Sequence, residues 1–447
     1  VRSGERVTVK FSGVDLDGSA TARVGAGHLS VPFGVPGEEA VVEITKGGRR
    51  AEGRLVALLR KSPSVQPARC HHFGRCGGCQ WQHISASLQR QIKTRLVKDY
   101  LKEHADIRRD LVAQTVAGDP WAYRNSLRAV FGERGGEIIL GYRAGGTDRV
   151  LDISECPVQH ATNEAMLQAA KDAVSDLRLP IYDRQTGAGL VRGILGLVSF
   201  STGQTLLTIS TTAPPPDPTA VVHAFIDRVP GLAGILNTVQ PRPTLDLMGG
   251  RVQLLWGRDH VDDEIAGFRI RLRPTTQLPA SPRATALLVD AVMHAAQMRP
   301  GHVALDMSAQ TPVVTLALAQ AGDGATGVVP GRRHIEDAWD AARWNGVPNA
   351  LFTAHEPAGV LAALGEHRRP DVVVVTADGP GVAAATIDAL GAAGVPRVVY
   401  VARSLATCAH DLGVWRKARY TAVSVQPVDL LPQTSHVHLV VALKRTR

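Results

Sequence analysis

From Val303 the chain reads Val303-Ala-Leu-Asp-Met-Ser-Ala-Gln-Thr-Pro312, a short apolar run and then a turn without glycine. Similar runs follow at Gly324 to Val329, Val372 to Val375 and Val398 to Val401, with helix-like segments between them. Strands covered on both faces read as continuous apolar runs, and crossover helices between such strands build a parallel sheet. This rhythm predicts an open, mostly parallel α/β sheet in the last third of the chain. A helix over about Arg283 to Met298 leads into it, and His436 to Leu443 reads as a terminal strand.

Working back from that sheet, the character changes at Ser281, with strands and helices before it up to about Pro274. Tyr123 to Phe131 and Glu137 to Arg143 read as strands, and Gly135-Gly136 between them is a two-residue hairpin turn. Thr211 to Pro218 is proline-rich and predicts a stiff surface loop. Ser87 to His104 predicts a helix with Gln91, Lys93, Arg95 and Lys98 on its polar side. Lys61 to Ala68 has the composition of a linker. Before it, Val7-Thr-Val-Lys-Phe11 alternates as a strand does, and Pro32, Pro36 and Gly37 turn the chain into Ala40-Val-Val-Glu-Ile44. A small β-barrel with a basic edge of Lys46, Arg49, Arg50 and Arg54 is expected there, a form suited to nucleic-acid backbones.

Between linker and helix lies Cys70-His-His-Phe-Gly-Arg-Cys-Gly-Gly-Cys-Gln-Trp-Gln-His83. It holds three of the five cysteines, with Gly77 and Gly78 between the last two, where glycine permits a sharp turn. Thiolates so spaced can converge on one inorganic centre. Zinc sites usually offer two short Cys-x-x-Cys knuckles, and only Cys76 and Cys79 make one. Three clustered cysteines with one distant partner are commoner for a cubane cluster, and Cys156 is the distant candidate. His71, His72 and His83 keep zinc open.

The 447 residues suffice for two or three domains, and 44% hydrophobic content supports packed cores. Aromatic content is only 4%, so Val, Leu, Ile and Ala must fill those cores. Five cysteines suit a reducing compartment. No apolar run reaches the roughly 20 residues that span a bilayer, and the first residues lack the apolar core of a signal peptide. A soluble cytoplasmic chain is expected, with no membrane partner. A net charge of +9 suggests a polyanionic partner such as RNA.

Taken together, these stretches resemble the RNA uracil-C5 methyltransferases, which make 5-methyluridine in ribosomal and transfer RNA. Cys-Gly-Gly-Cys-Gln-x-Gln-His carries the resemblance, with Tyr123-Arg-Asn, Gly141-Tyr-Arg and Leu255-Trp-Gly-Arg-Asp in the middle of the chain. Leu305-Asp, Trp344-Asn-Gly, Tyr400-Val and Pro432-Gln-Thr-Ser-His-Val carry it further. The resemblance implies three parts. Residues 1–62 would be a TRAM barrel that binds RNA, 63–270 a central α+β domain with a 4Fe–4S loop, and 271–447 a class I methyltransferase-like domain of Rossmann type. It also implies a cluster on Cys70, Cys76, Cys79 and Cys156, and a monomer that binds rRNA or tRNA, a protein partner being open. RNA contacts are expected at Lys10, Arg49, Arg50, Lys93, Arg124 and Arg143.

The positions that carry the family's chemistry differ here. The family's glycine-rich cofactor loop is replaced by the glycine-free run through Gln310 and Pro312. Val329 stands where an acid holds the ribose. Gln277-Leu-Pro279 replaces a Phe-Phe-Gln motif, and Thr376-Ala-Asp-Gly379 replaces Asp-Pro-Pro-Arg. Arg403 occupies the place of the nucleophilic cysteine, and a guanidinium has no lone pair to attack with. His438 replaces the glutamate base. Cys408 is expected to be a buried thiol rather than a relocated nucleophile. These departures predict an RNA-binding pseudoenzyme that has lost S-adenosylmethionine, with degenerate cofactor positions Pro279, Gln310, Val329 and Thr376. The alternative is an active S-adenosylmethionine-dependent RNA methyltransferase, or another RNA-modifying enzyme, with remodelled residues.

Overall fold

The computed structural model describes residues 1–276, 279, 281–367, 369–377 and 379–446. They group into two compact units, one of residues 1–74, 79–120 and 284–447, the other of 75–78 and 121–283.

The first unit begins with β1 (Arg6–Lys10), β2 (Gly13–Val14), β3 (Ala20–Val24), β4 (Gly27–Val31), β5 (Glu39–Lys46) and β6 (Arg50–Arg60). They form one six-stranded sheet in the order β1-β5-β6-β4-β3-β2. Its core is Phe11, Leu29, Val42 and Ile44, whose alternation with polar residues is the signal the sequence carried. Next comes α1 (Ala86–Ala105), capped by the Ser85 hydroxyl, which accepts from the Leu88 amide. β7 (Val116–Ala117) then joins a sheet formed by distant strands.

The second unit contains β8 (Ser126–Arg134), β9 (Glu137–Arg143), β10 (Val150–Asp152), α2 (Ala161–Asp176), β11 (Val191–Val198) and β12 (Thr205–Thr211). After them come α3 (Pro218–Ile226), β13 (Leu232–Val239) and β14 (Arg251–Gly257). Its seven-stranded sheet runs β10-β9-β8-β11-β12-β13-β14. Gly135 and Gly136, at φ +59° and +84°, make the hairpin turn between β8 and β9. The proline-rich segment is the connection from β12 to α3, where Asp217 accepts from the Ala220 amide and Pro218 opens the helix. A hairpin of β15 (Val261–Ile265) and β16 (Phe268–Leu272) completes the unit.

Returning to the first unit, the chain adds α4 (Pro282–Ala296), β17 (Val303–Asp306), α5 (Val313–Ala321), β18 (Gly324–Val328), α6 (Arg332–Trp344) and β19 (Ala350–Thr353). It ends with α7 (Pro357–His367), β20 (Val372–Ala377), α8 (Ala384–Ala392), β21 (Arg397–Ala402), α9 (Leu405–Lys417), β22 (Tyr420–Asp429) and β23 (His438–Arg445). The eight-stranded sheet has the order β19-β18-β17-β20-β21-β23-β22-β7. Its first five strands are parallel, and β23 runs antiparallel to both β21 and β22. β20 and β21 are buried along almost their whole length, which is why they read as valine runs without alternation. Tyr400, Trp415 and Tyr420 pack in this core, with Trp415 at 6.0 Å from Tyr400 and 5.4 Å from Tyr420 between ring centres. His436 lies before the last strand, which starts two residues later than expected, at His438. Among the described residues no helix is long and apolar enough to cross a membrane.

Candidate functional site

Parallel sheets of this kind offer a crevice at the carboxyl ends of their strands, where the order switches direction. Here β17 stands between β18 and β20, so the turn after Asp306 lies at the switch. That turn is pinned on both sides. The Met307 amide donates to the Val374 carbonyl at 3.0 Å and the Ala309 amide to the Val328 carbonyl at 2.9 Å. The Ser308 hydroxyl accepts from the Thr376 amide at 3.1 Å. Asp306 is buried, its carboxylate accepting from the Ser308 amide and the Thr315 hydroxyl. Burial nonetheless pushes its pKa up to about 6, against those two bonds. Val329 is buried, its amide donating to the Thr353 carbonyl. Gln310, Thr376 and Pro279 are half-buried; Gln277 and Asp378 lie outside the described residues.

At the carboxyl end of β21, Arg403 occupies the turn between β21 and α9, exposed to solvent. It adds to the charge that bears on His438 at the start of β23. The Nδ1 of His438 is buried with no hydrogen-bond partner. Desolvation, then the charges of Arg403, His436 and Lys93, lower its pKa to about 3. His438 is therefore a neutral imidazole at physiological pH, suited to accepting a hydrogen bond and weak as a proton acceptor. The carboxylate of Asp306, a candidate partner for Arg403, is taken up by Ser308 and Thr315.

Beneath this corner lies a buried ion pair. Lys93 Nζ stands 2.6 Å from Asp429 Oδ2, and both side chains are almost fully out of solvent, at 0% and 2% exposure. Burial lowers the Lys93 pKa and raises that of Asp429, while their mutual attraction opposes both shifts. Lys93 was expected on the RNA-facing side of α1. That expectation is corrected, since an ammonium sealed against Asp429 has no access to phosphate. Of the other expected contacts, Lys10, Arg49 and Arg50 are exposed on the six-stranded sheet, and Arg124 and Arg143 are half-buried in the second unit.

Two of the sequence motifs meet here. Gln89 Nε2 donates to Gln433 Oε1 at 2.9 Å, and the Gln433 amide returns a bond to Gln89 Oε1 at 3.0 Å. Gln89 also donates to the carbonyls of Trp81 and Ile84, and the Gln433 carbonyl accepts from the amides of Gln80 and Trp81. Trp81 in turn donates to the Gly18 carbonyl at 2.9 Å, and the Ser435 hydroxyl to that of Leu16 at 3.0 Å. The end of the cysteine stretch and the loop after β22 are thus one hydrogen-bonded assembly. Sequence reasoning missed it because its members lie 344 residues apart.

Cys408 is wholly buried on α9, where desolvation and then Asp411 push its thiol up, away from the thiolate that a nucleophile needs. The expected 4Fe–4S site on Cys70, Cys76, Cys79 and Cys156 is corrected as well. Among the described residues, no group of three or more His, Cys, Asp or Glu is placed to hold a metal ion. Cys76 and Cys156 pack against the core of the second unit. Gly77 does not supply a left-handed turn; Gly74 does, at φ +83°. A Cβ on Gly77 would stand 3.2 Å from the Gly145 Cα, so that glycine serves close backbone approach.

The chain is 31% identical over 453 residues to an uncharacterised RNA methyltransferase of Gloeobacter violaceus, covering 99% of this chain and 97% of that one. It is 29% identical over 450 residues to an uncharacterised RNA methyltransferase of Halalkalibacterium halodurans, covering 99% and 98%. Among solved structures it resembles the Pyrococcus abyssi tRNA (uracil-54, C5)-methyltransferase in complex with S-adenosyl-L-homocysteine. There the TM-score is 0.77, with 20% identity over 98% of this chain and 99% of that one. No protein-family model matches the chain. The last comparison stands against the expected loss of S-adenosylmethionine: that protein, whose fold matches nearly the whole of this chain, is in complex with S-adenosyl-L-homocysteine.

Proposed function

The chain belongs to the RNA methyltransferase family, and from that premise we propose that it is an S-adenosylmethionine-dependent methyltransferase acting on a uracil in RNA. The end-to-end match to a relative named an RNA methyltransferase carries the methyltransferase reading, which replaces that of a pseudoenzyme, and the likeness in fold to a tRNA (uracil-54, C5)-methyltransferase supports the uracil. In it, residues 1–62 are the RNA-binding TRAM barrel, 63–270 the central domain and 271–447 the methyltransferase domain, working in the cytoplasm.

The groups at the carboxyl ends of β17 and β20 fit the cofactor in kind. S-adenosylmethionine, when bound, supplies an electrophilic methyl group on a sulfonium and also carries an ammonium. Asp306, whose buried carboxylate lacks a cationic partner among the described residues, would have its charged form favoured beside such a cation. Ser308, Gln310 and Thr376 add hydroxyl and amide groups there. Val329 offers an apolar wall in place of an acid. Arg403 and His438 hold the base: the guanidinium donates to a carbonyl oxygen, and the unpartnered Nδ1 accepts a ring N–H. With Arg403 at the nucleophile's place and Cys408 buried, neither position offers a free thiol for a cysteine adduct.

Isothermal calorimetry of the full chain with S-adenosylmethionine tests the cofactor half of the proposal. Saturable one-to-one binding, weakened by Asp306→Asn, is expected. Heats no larger than dilution for the folded protein would remove the proposal's basis.

A further inference from the structure

The second unit contains a cavity of about 470 Å³ whose rim carries Arg134, Arg143, Arg149, Arg184 and Arg192. Arg192 is the telling member. Its guanidinium is buried, yet it donates to the carbonyls of Gln240, Arg242 and Thr244 and lies 4.3 Å over the Tyr182 ring, with no carboxylate in the set. Carbonyls satisfy its hydrogens without cancelling its charge. The remaining cations are only partly offset, since the lining sets three carboxylates, Glu133, Asp148 and Asp183, against five arginines. Asp148 serves both Arg184 and Arg143, the latter at 3.9 Å. Asp183 is drawn into its own turn, accepting from the Gln185 and Thr186 amides. Arg149 has no carboxylate partner among the described residues, and Arg134 reaches only the Val150 carbonyl. Burial and the nearby Arg184 and Arg192 lower the Arg143 pKa against the pull of Asp148, the mark of crowded positive charge.

The floor differs in kind. Val130, Leu247 and Val150 belong to a small apolar cluster under the cavity, and Tyr182 adds an aromatic ring at its wall. Arginines around an apolar and aromatic bed match a nucleotide of a flexible strand, whose base needs a dry surface and whose phosphate needs guanidinium. A free inorganic anion would leave the floor uncovered, and an acidic peptide has no flat ring to lay there.

We propose that this cavity is an RNA-holding subsite that takes one nucleotide of a single-stranded segment, base on the Val130–Leu247 floor and phosphate among Arg143, Arg149 and Arg184. The choice of RNA rests on the methyltransferase reading; the uncompensated charge does not.

The test uses the full chain, a fluorescein-labelled single-stranded RNA oligonucleotide and anisotropy over a salt series. Arg149→Glu with Arg184→Glu should weaken binding about tenfold or more and flatten the salt dependence by about 0.7, the share of one lost phosphate contact. Asp148→Asn should tighten binding, and Arg149→Lys with Arg184→Lys should restore most of the loss. If the double glutamate variant fails to fold, Arg149→Glu alone, at an exposed position, should weaken binding and flatten the slope in the same direction, by up to about 0.7. Wild-type affinity and salt slope in the charge-reversed protein overturn the proposal, including the case where an acidic protein is the true occupant. Cofactor calorimetry on the same samples separates the two readings. Absent S-adenosylmethionine binding with a salt slope that responds to the arginines sinks the methyltransferase and keeps the subsite, and the converse does the opposite.

Discussion

His438 and the Lys93–Asp429 pair show how far a side chain's chemistry can depart from its type. A histidine in water titrates near 6.5, but His438 is lowered to about 3 by lost solvent and neighbouring cations. The sign of the resulting pH dependence follows. Folded His438 stays neutral down to about pH 3, while the unfolded chain takes up a proton below about 6.5. Its contribution to stability is therefore complete above pH 6.5 and shrinks as pH falls toward 3. Melting temperatures from pH 7.5 to 4.5 should fall more steeply for the wild type than for His438→Gln, and parallel curves would contradict the assignment. The ion pair predicts a different asymmetry. Lys93→Met strands a buried carboxylate and should cost about 3–5 kcal/mol in denaturant unfolding, whereas Lys93→Met with Asp429→Leu should recover most of that. Neither feature was legible in sequence. Lys93 sat among Gln91, Arg95 and Lys98 on what read as one polar face, and the carboxylate that buries it comes from the end of β22. Arg403 and His438, by contrast, stood out in sequence because they replaced residues whose lone pairs the family resemblance required.

Among the elements, those with a single local cause were readable. β17, β20 and β21 are valine-rich because both faces are covered, and the β8–β9 turn is glycine because both its residues need positive φ. β19 and β22 escaped notice. β19 has four residues with exposed Leu351 among them. β22 alternates only in part, shifts register between Ala422 and Ser424, and contains Pro427. The cysteine stretch was located correctly, but the glycine rationale was wrong in kind: Gly77 relieves a close approach to Gly145 rather than forming a turn. The tie between α1 and the loop after β22 belongs to this scale too. Gln89→Ala would leave the Gln433 side chain and the Trp81 and Ile84 carbonyls short of partners inside the protein. A loss of about 2–4 kcal/mol is expected in urea unfolding, with Gln89→Glu no better because a buried carboxylate cannot donate to those carbonyls. A change below about 0.5 kcal/mol would mean the amide pair is not a structural joint.

At the scale of the whole molecule, the resemblance read from motifs and the match to relatives from end to end agree on the family. What the motifs alone misjudged was the cofactor. Missing glycines and a missing ribose acid argued for a vacated site, yet the glycine-free turn is held by backbone bonds to β18 and β20, and Val329 by one to β19. The loop keeps Asp306, Ser308 and Thr315 in a closed hydrogen-bonded set without any glycine. The reaction itself decides between a methyltransferase with remodelled residues and a protein that only holds RNA. The most direct measurement is transfer of a labelled methyl group from S-adenosylmethionine to total RNA by the purified full chain, followed by nucleoside mass analysis. Protein-dependent label in a methylated uridine, lost with Arg403→Ala and His438→Ala, is the predicted result. No label above the protein-free control, from folded protein that binds the same RNA, would contradict it.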